Sequence, residues 1–149
     1  MNNEKTIMLY KDNNYLLYVN HESYTLYVEV IDGKYIKENF IELVNYFNNF
    51  WILVNNSSEK YYQVFIFNNI SIYPLEFYTL VFNTLKSLEN IFIENLHSTC
   101  LINNSNALDV LRPLLNMYKA VRPFKFVKTL EEGLIFLNNN TNDKIIKKN

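Results

Sequence analysis

From Tyr35 onward the apolar residues of this chain switch repeatedly between helical spacing and short continuous runs, and that alternation is the strongest constraint on its fold. Ile36, Phe40, Leu43, Val44, Phe47, Phe50 and Trp51 recur at three- and four-residue steps, one apolar face of a helix ending near Val54. Tyr62 to Phe67 is a short run whose one outward polar residue is Gln63, as suits a central strand covered on both faces. Pro74 and Glu76 then open a second helix carrying Leu75, Tyr78, Phe82, Leu85, Leu88 and Phe92. Phe77, Leu80 and Val81 widen its apolar surface, so it is expected to be the most buried. Ser98 to Ile102 reads as a strand. Leu108, Leu111, Leu115 and Tyr118 mark a third helix capped by Asn106, with a local kink at Pro113. Phe124 to Val127 is a last strand, and Thr129 with Glu132 forms a capping box that opens a final helix to Leu137.

Ahead of this alternation lie Tyr15 to Val19 and Tyr24 to Ile31. In the second run Leu26, Val28 and Val30 oppose Thr25, Tyr27 and Glu29, the period-two pattern of an antiparallel hairpin. The order is ββαβαβαβα. It implies a single-domain α/β fold with a mixed, mostly parallel sheet and an N-terminal antiparallel hairpin. Residues 1–137 are expected to form the domain, and 138–149 a flexible polar tail.

Composition narrows the chemistry. Tyr (12) and Phe (11) supply the core, while Gly (2) and Ala (2) are almost absent. Two glycines exclude a glycine-built phosphate cradle, and no Walker, Gly-x-Ser-x-Gly or dinucleotide fingerprint occurs. The single cysteine, Cys100, excludes an internal disulfide and a cysteine zinc site, and it reads as a buried structural thiol. His21 and His97 lie far apart without a third ligand at metal spacing. Glu131 and Glu132 are adjacent on a helix and point apart. Arg112 and Arg122 each precede a proline and border turns.

A net charge of -1 with scattered charges argues against nucleic acid as a partner. No apolar stretch is long enough for an integral membrane segment, so a cytoplasmic protein is expected. Asparagine, at 25 of 149 residues, fits the codon bias of a low-GC genome, and its pairs fall at turns between apolar segments. No catalytic residue, metal site or cofactor is expected, and the chain reads as non-enzymatic.

Open α/β sheets bind ligands beyond the carboxyl ends of their parallel strands. Those ends carry Asn68, Asn69 and Ser71, then Asn103, Asn104 and Ser105, then Lys128 and Thr129, the candidate binding residues.

The element order resembles the SpoIIAA-like fold of STAS domains, over Tyr15 to Leu137. Val64-Phe65-Ile66-Phe67-Asn68-Asn69-Ile70-Ser71 is similar to the STAS central strand and loop. Phe124-Lys125-Phe126-Val127-Lys128-Thr129-Leu130-Glu131-Glu132-Gly133-Leu134 is similar to the closing strand and the start of the last helix. The resemblance implies a protein-interaction or assembly module whose partner is another protein or a second copy. Regulatory STAS domains carry a phosphorylated Ser or Thr where this chain has Tyr73-Pro74-Leu75-Glu76-Phe77, so a phospho-switch of that type is not expected. More distantly, Ile93 to Asn103 resembles the run ending in an Ile-Asn pair of Sec14-type CRAL-TRIO domains. That likeness implies the alternative, a carrier of lipid or another small apolar ligand.

Overall fold

A computed structural model describes residues 5–31, 34–67, 74–103 and 118–142. Six strands, β1 (Thr6–Lys11), β2 (Tyr15–Asn20), β3 (Thr25–Val30), β4 (Tyr61–Phe67), β5 (Leu96–Ile102) and β6 (Phe124–Val127), form one sheet. Four helices accompany them among the described residues: α1 (Lys37–Asn55), α2 (Leu75–Ser87), α3 (Glu89–Asn95) and α4 (Leu130–Asn138).

The strands lie side by side in chain order, antiparallel from β1 to β3 and parallel from β3 to β6. The expected α/β class and mixed sheet with its β2–β3 hairpin are therefore present. Sequential parallel neighbours joined by crossovers of one hand place their helices on one face. Accordingly α1, α2 and α3 share a core with Leu17, Leu26, Val28, Phe65 and Leu101, and Tyr118 and Val121 after β5 pack against the same core. We call this the helical face. α4 follows the last strand, is free of that rule, and packs on the other side of β5 and β6.

Rings fill the helical face. Trp51 and Phe92 meet edge to face at 5.1 Å, and Phe40 lies 4.7 Å from Phe77. Such pairs each add about 0.5–1.5 kcal/mol beyond burial. Gln63, expected to point outward, is instead sealed in this layer at 1% exposure. Its Oε1 accepts from the Trp51 indole N–H at 3.0 Å, and its Nε2 donates to Thr99 Oγ1 at 3.2 Å, so the buried amide is satisfied.

Three further expectations change. β1 lies ahead of the first expected strand at Tyr15, in a stretch whose Ile7, Met8, Leu9 and Tyr10 do not alternate. The cause is a bulge between Met8 and Tyr10, after which both Leu9 and Tyr10 pack toward the helical core. The Asp12 carboxylate then turns the chain by accepting from the Asn14 and Tyr15 N–H groups at 2.7 and 2.8 Å. The helix expected from Leu75 to Phe92 is broken at Leu88, just after Ser87 donates back to the Thr84 carbonyl. α1 rather than α2 is the most buried helix, hiding Phe40, Leu43, Phe47, Phe50, Trp51 and Val54, whereas Leu75 of α2 is exposed.

The final helix forms as its sequence dictates, with the Thr129 hydroxyl accepting from the Glu132 N–H at 3.1 Å. Residues 138–142, expected to belong to a flexible tail, are held instead: Asn138 ends α4, and Asn142 is 1% exposed. The third expected helix, around Leu108 to Met117, lies outside the described residues.

Candidate interaction surface

Most of the candidate binding residues lie outside the described residues: Asn68, Asn69, Ser71, Asn104 and Ser105. Among the described ones, Asn103 is buried and donates its N–H to the Val127 carbonyl at 3.1 Å. Thr129 is occupied as the cap of α4, and Lys128 is exposed beside it. The strand order from β3 to β6 has no reversal, so this part of the sheet lacks the switch point at which such sheets open a crevice.

An open polar cleft of about 740 Å³ lies where β4 and β5 begin and is lined by Tyr24, Glu59, Lys60, His97 and Asn142, among others. Its polar groups are largely spent on fastening the chain. His97 Nδ1 accepts from the Asn142 N–H at 2.8 Å, and Lys60 Nζ donates to the Asn142 carbonyl at 2.8 Å. The Asn142 side chain donates to the carbonyls of Ile93 and Leu96 at 3.1 and 3.2 Å. Burial, with Lys60 and Arg122 nearby, lowers the His97 pKa to about 4, so the ring is neutral and serves as an acceptor. Arg122 Nε donates to the Leu96 and His97 carbonyls, both at 3.2 Å.

Cys100 is fully buried between β5 and α4, and burial pushes its thiol up to about 12. A thiolate nucleophile is thereby disfavoured. The helix approaches so closely that a Cβ built on Gly133 would lie 2.8 Å from Cys100 Sγ. Among the described residues, no three His, Cys, Asp or Glu side chains gather as a metal site. No helix among them is long and apolar enough to cross a membrane.

Among the described residues, the face opposite the three helices carries a helix at its β5 and β6 end. Two cross-strand rows run over it. One joins Met8, Tyr18, Tyr27, Val64 and Cys100, and the other joins Lys11, Leu16, Glu29, Ile66 and Ile102. α4 covers the β5 and β6 end of both rows. Over β1, β2 and β3 no described helix lies on this side, since α1 contacts β1 and β2 from the helical face.

There the Tyr18 and Tyr27 rings stack at 4.9 Å and 12°, with the Tyr18 hydroxyl donating to Glu29 Oε2 at 3.0 Å. Partial burial, then the Glu29 charge, raise the Tyr18 pKa, so the phenol is neutral. Both rings are half-buried, and Met8 is 49% exposed. Tyr62 continues the patch, its ring 4.3 Å from that of His97 and its hydroxyl 2.7 Å from Thr141 Oγ1. This arrangement is an aromatic platform with hydrogen-bonding rims. Alternation in β3 places Tyr27 and Glu29 on the face opposite Leu26, Val28 and Val30. That the face stays open follows from strand order, which local pattern does not carry. No protein-family model matches the chain, and no curated protein or solved structure matches it either.

Proposed function

We propose that this chain is a non-catalytic protein-interaction or assembly module that engages its partner through the sheet face carrying Tyr18 and Tyr27. The observation that carries this reading is the stacked tyrosine pair beside exposed Met8, on a face where no described helix lies over β1–β3. Stacked tyrosines present large, rigid apolar area at small entropic cost and keep a polar edge, the chemistry enriched at the centres of protein interfaces. The STAS-like element order points the same way. The lipid-carrier alternative has less support, because the apolar cavity under α1 and α2 is only about 70 Å³, against the ~300–1,000 Å³ of ligand pockets.

The test compares the unmodified chain with a Tyr18→Ser, Tyr27→Ser variant by light scattering and by pull-down from the native host. Tyr46→Ser, on the far side of the molecule, is the control. Association that the control retains and the double variant loses supports the reading. A monomer that captures nothing, or capture indifferent to the double substitution, overturns it.

A further inference from the structure

On the face that carries Tyr18 and Tyr27, α4 makes a step. It rides on β5 and β6, and among the described residues no helix lies over β1, β2 and β3 on this side. Gly133 and Leu137 of α4 turn toward the sheet, and the Phe136 ring meets Lys125 of β6. At about 100° per residue, Leu130 and Leu134 then fall on the other flank, the one that looks across β4 toward the tyrosines. They are 44% and 39% exposed, so the wall of the step is apolar like its floor of Met8, Leu16, Tyr18 and Tyr27.

The floor also carries charge in a directional arrangement. Lys11 of β1, Leu16 of β2 and Glu29 of β3 form one cross-strand row, with the cation and the carboxylate on opposite sides of β2. A two-fold axis laid along β2 turns that row onto itself with its ends exchanged. Lys11 of each copy then faces Glu29 of the other, Met8 faces Tyr27, and Leu16 and Tyr18 meet their own counterparts. Glu29 accepts from the Tyr18 hydroxyl, and a carboxylate has room for further donors. An axis laid across the strands would instead set the charged row on the Met8, Tyr18 and Tyr27 row and bury its charges unpaired.

The step answers the same operation. Facing sheets pack ~10 Å apart and a helix is ~10–12 Å across. The second sheet therefore sits level with α4, and its β1 edge, where Ile7 is 47% exposed, comes against Leu130 and Leu134. Such an isologous contact closes after two copies.

We infer that the occupant of this face is a second copy of the chain, seated sheet to sheet about a two-fold axis along β2. This rests on the reading of the face as an interaction surface and names its partner. Three strands of six residues make a small footprint, so the dimer belongs to the weak, transient class.

Light scattering of the full chain over a concentration series tests the inference, with folding checked by circular dichroism. The expected result is a concentration-dependent dimer that Lys11→Glu or Glu29→Lys alone weakens at least about tenfold. Combining both substitutions in one chain, or mixing the two single variants, should restore it. Leu134→Lys, on the exposed flank of α4, should also weaken it, and it serves if Glu29→Lys does not fold. A chain that stays monomeric, a dimer indifferent to the single reversals or to Leu134→Lys, or reversals that the exchange does not rescue would overturn the inference. A monomer that captures a host protein through Tyr18 and Tyr27 would overturn it while leaving the interaction face standing.

Discussion

On the helical face Trp51, Phe77 and Phe92 are at most 1% exposed, while on the opposite face Tyr18 and Tyr27 stack with no described helix above them. Both faces are built from rings, and the difference lies in what the rings are asked to do. Under α1–α3 they replace the small residues the chain lacks and gain burial. Across the sheet, the covering helix among the described residues is α4, which closes in because Gly133 lets its backbone approach Cys100. Beyond the reach of α4 the tyrosines keep their hydroxyls hydrogen-bonded or near water. The helical side thus buries its rings, Tyr15 and Trp51 included, whereas Tyr18 and Tyr27 on the other side stay half-buried.

That contrast can be broken at several points, the largest first. Trp51→Ala should cost about 3–5 kcal/mol, through the cavity it opens and the stranded Gln63 carbonyl, and chemical denaturation would measure it. Gly133→Ala should cost about 1–3 kcal/mol by forcing α4 off Cys100, only partly offset by alanine's better helix propensity. Cys100→Ala removes the clashing sulfur, so in that background the same substitution should become neutral or stabilising. A double-mutant cycle without such coupling would refute the close-approach argument.

Acid should act on the clasp that holds Asn142. The folded His97 pKa of about 4 lies below the unfolded value near 6.5, so the neutral ring contributes stability above pH 6.5 that is lost as pH falls toward 4. Solvent reaches the half-buried ring and tempers the effect. A His97→Gln variant keeps an acceptor for the Asn142 N–H and does not titrate. Its melting temperature should fall less between pH 7 and pH 4 than that of the unmodified chain, by roughly 2–4 °C. The smallest expected effect is on the open face, where Tyr18→Ser should change stability by no more than about 1 kcal/mol.

Much of the layered fold was legible because each element repeats its own period. The capping box at Thr129 and the buried thiol of Cys100 could be read from the residues themselves. What escaped depends on contacts between distant segments. The bulge in β1 hid a strand, because it shifts Leu9 and Tyr10 onto one side and erases alternation. Gln63 looked outward, since its burial is made tolerable by the Trp51 indole and the Thr99 hydroxyl, both distant in sequence. Asn142 looked like part of a polar tail, yet partners as distant as Lys60 hold it. Codon bias accounts for the number of asparagines but not for the positions where an amide is buried, such as Asn14, bonded to the Lys34 carbonyl and the Asn39 side chain. The open face itself was half legible: alternation in β3 put Tyr27 opposite Leu26 and Val28, while sheet order decided that none of the described helices would lie over it.

The most direct measurement is a paired one on the Tyr18→Ser, Tyr27→Ser variant: its denaturation midpoint, and its association by light scattering and pull-down. The account predicts a midpoint close to that of the unmodified chain together with lost association. A folded variant that associates as before, or one that loses stability on the scale of Trp51→Ala, would contradict it.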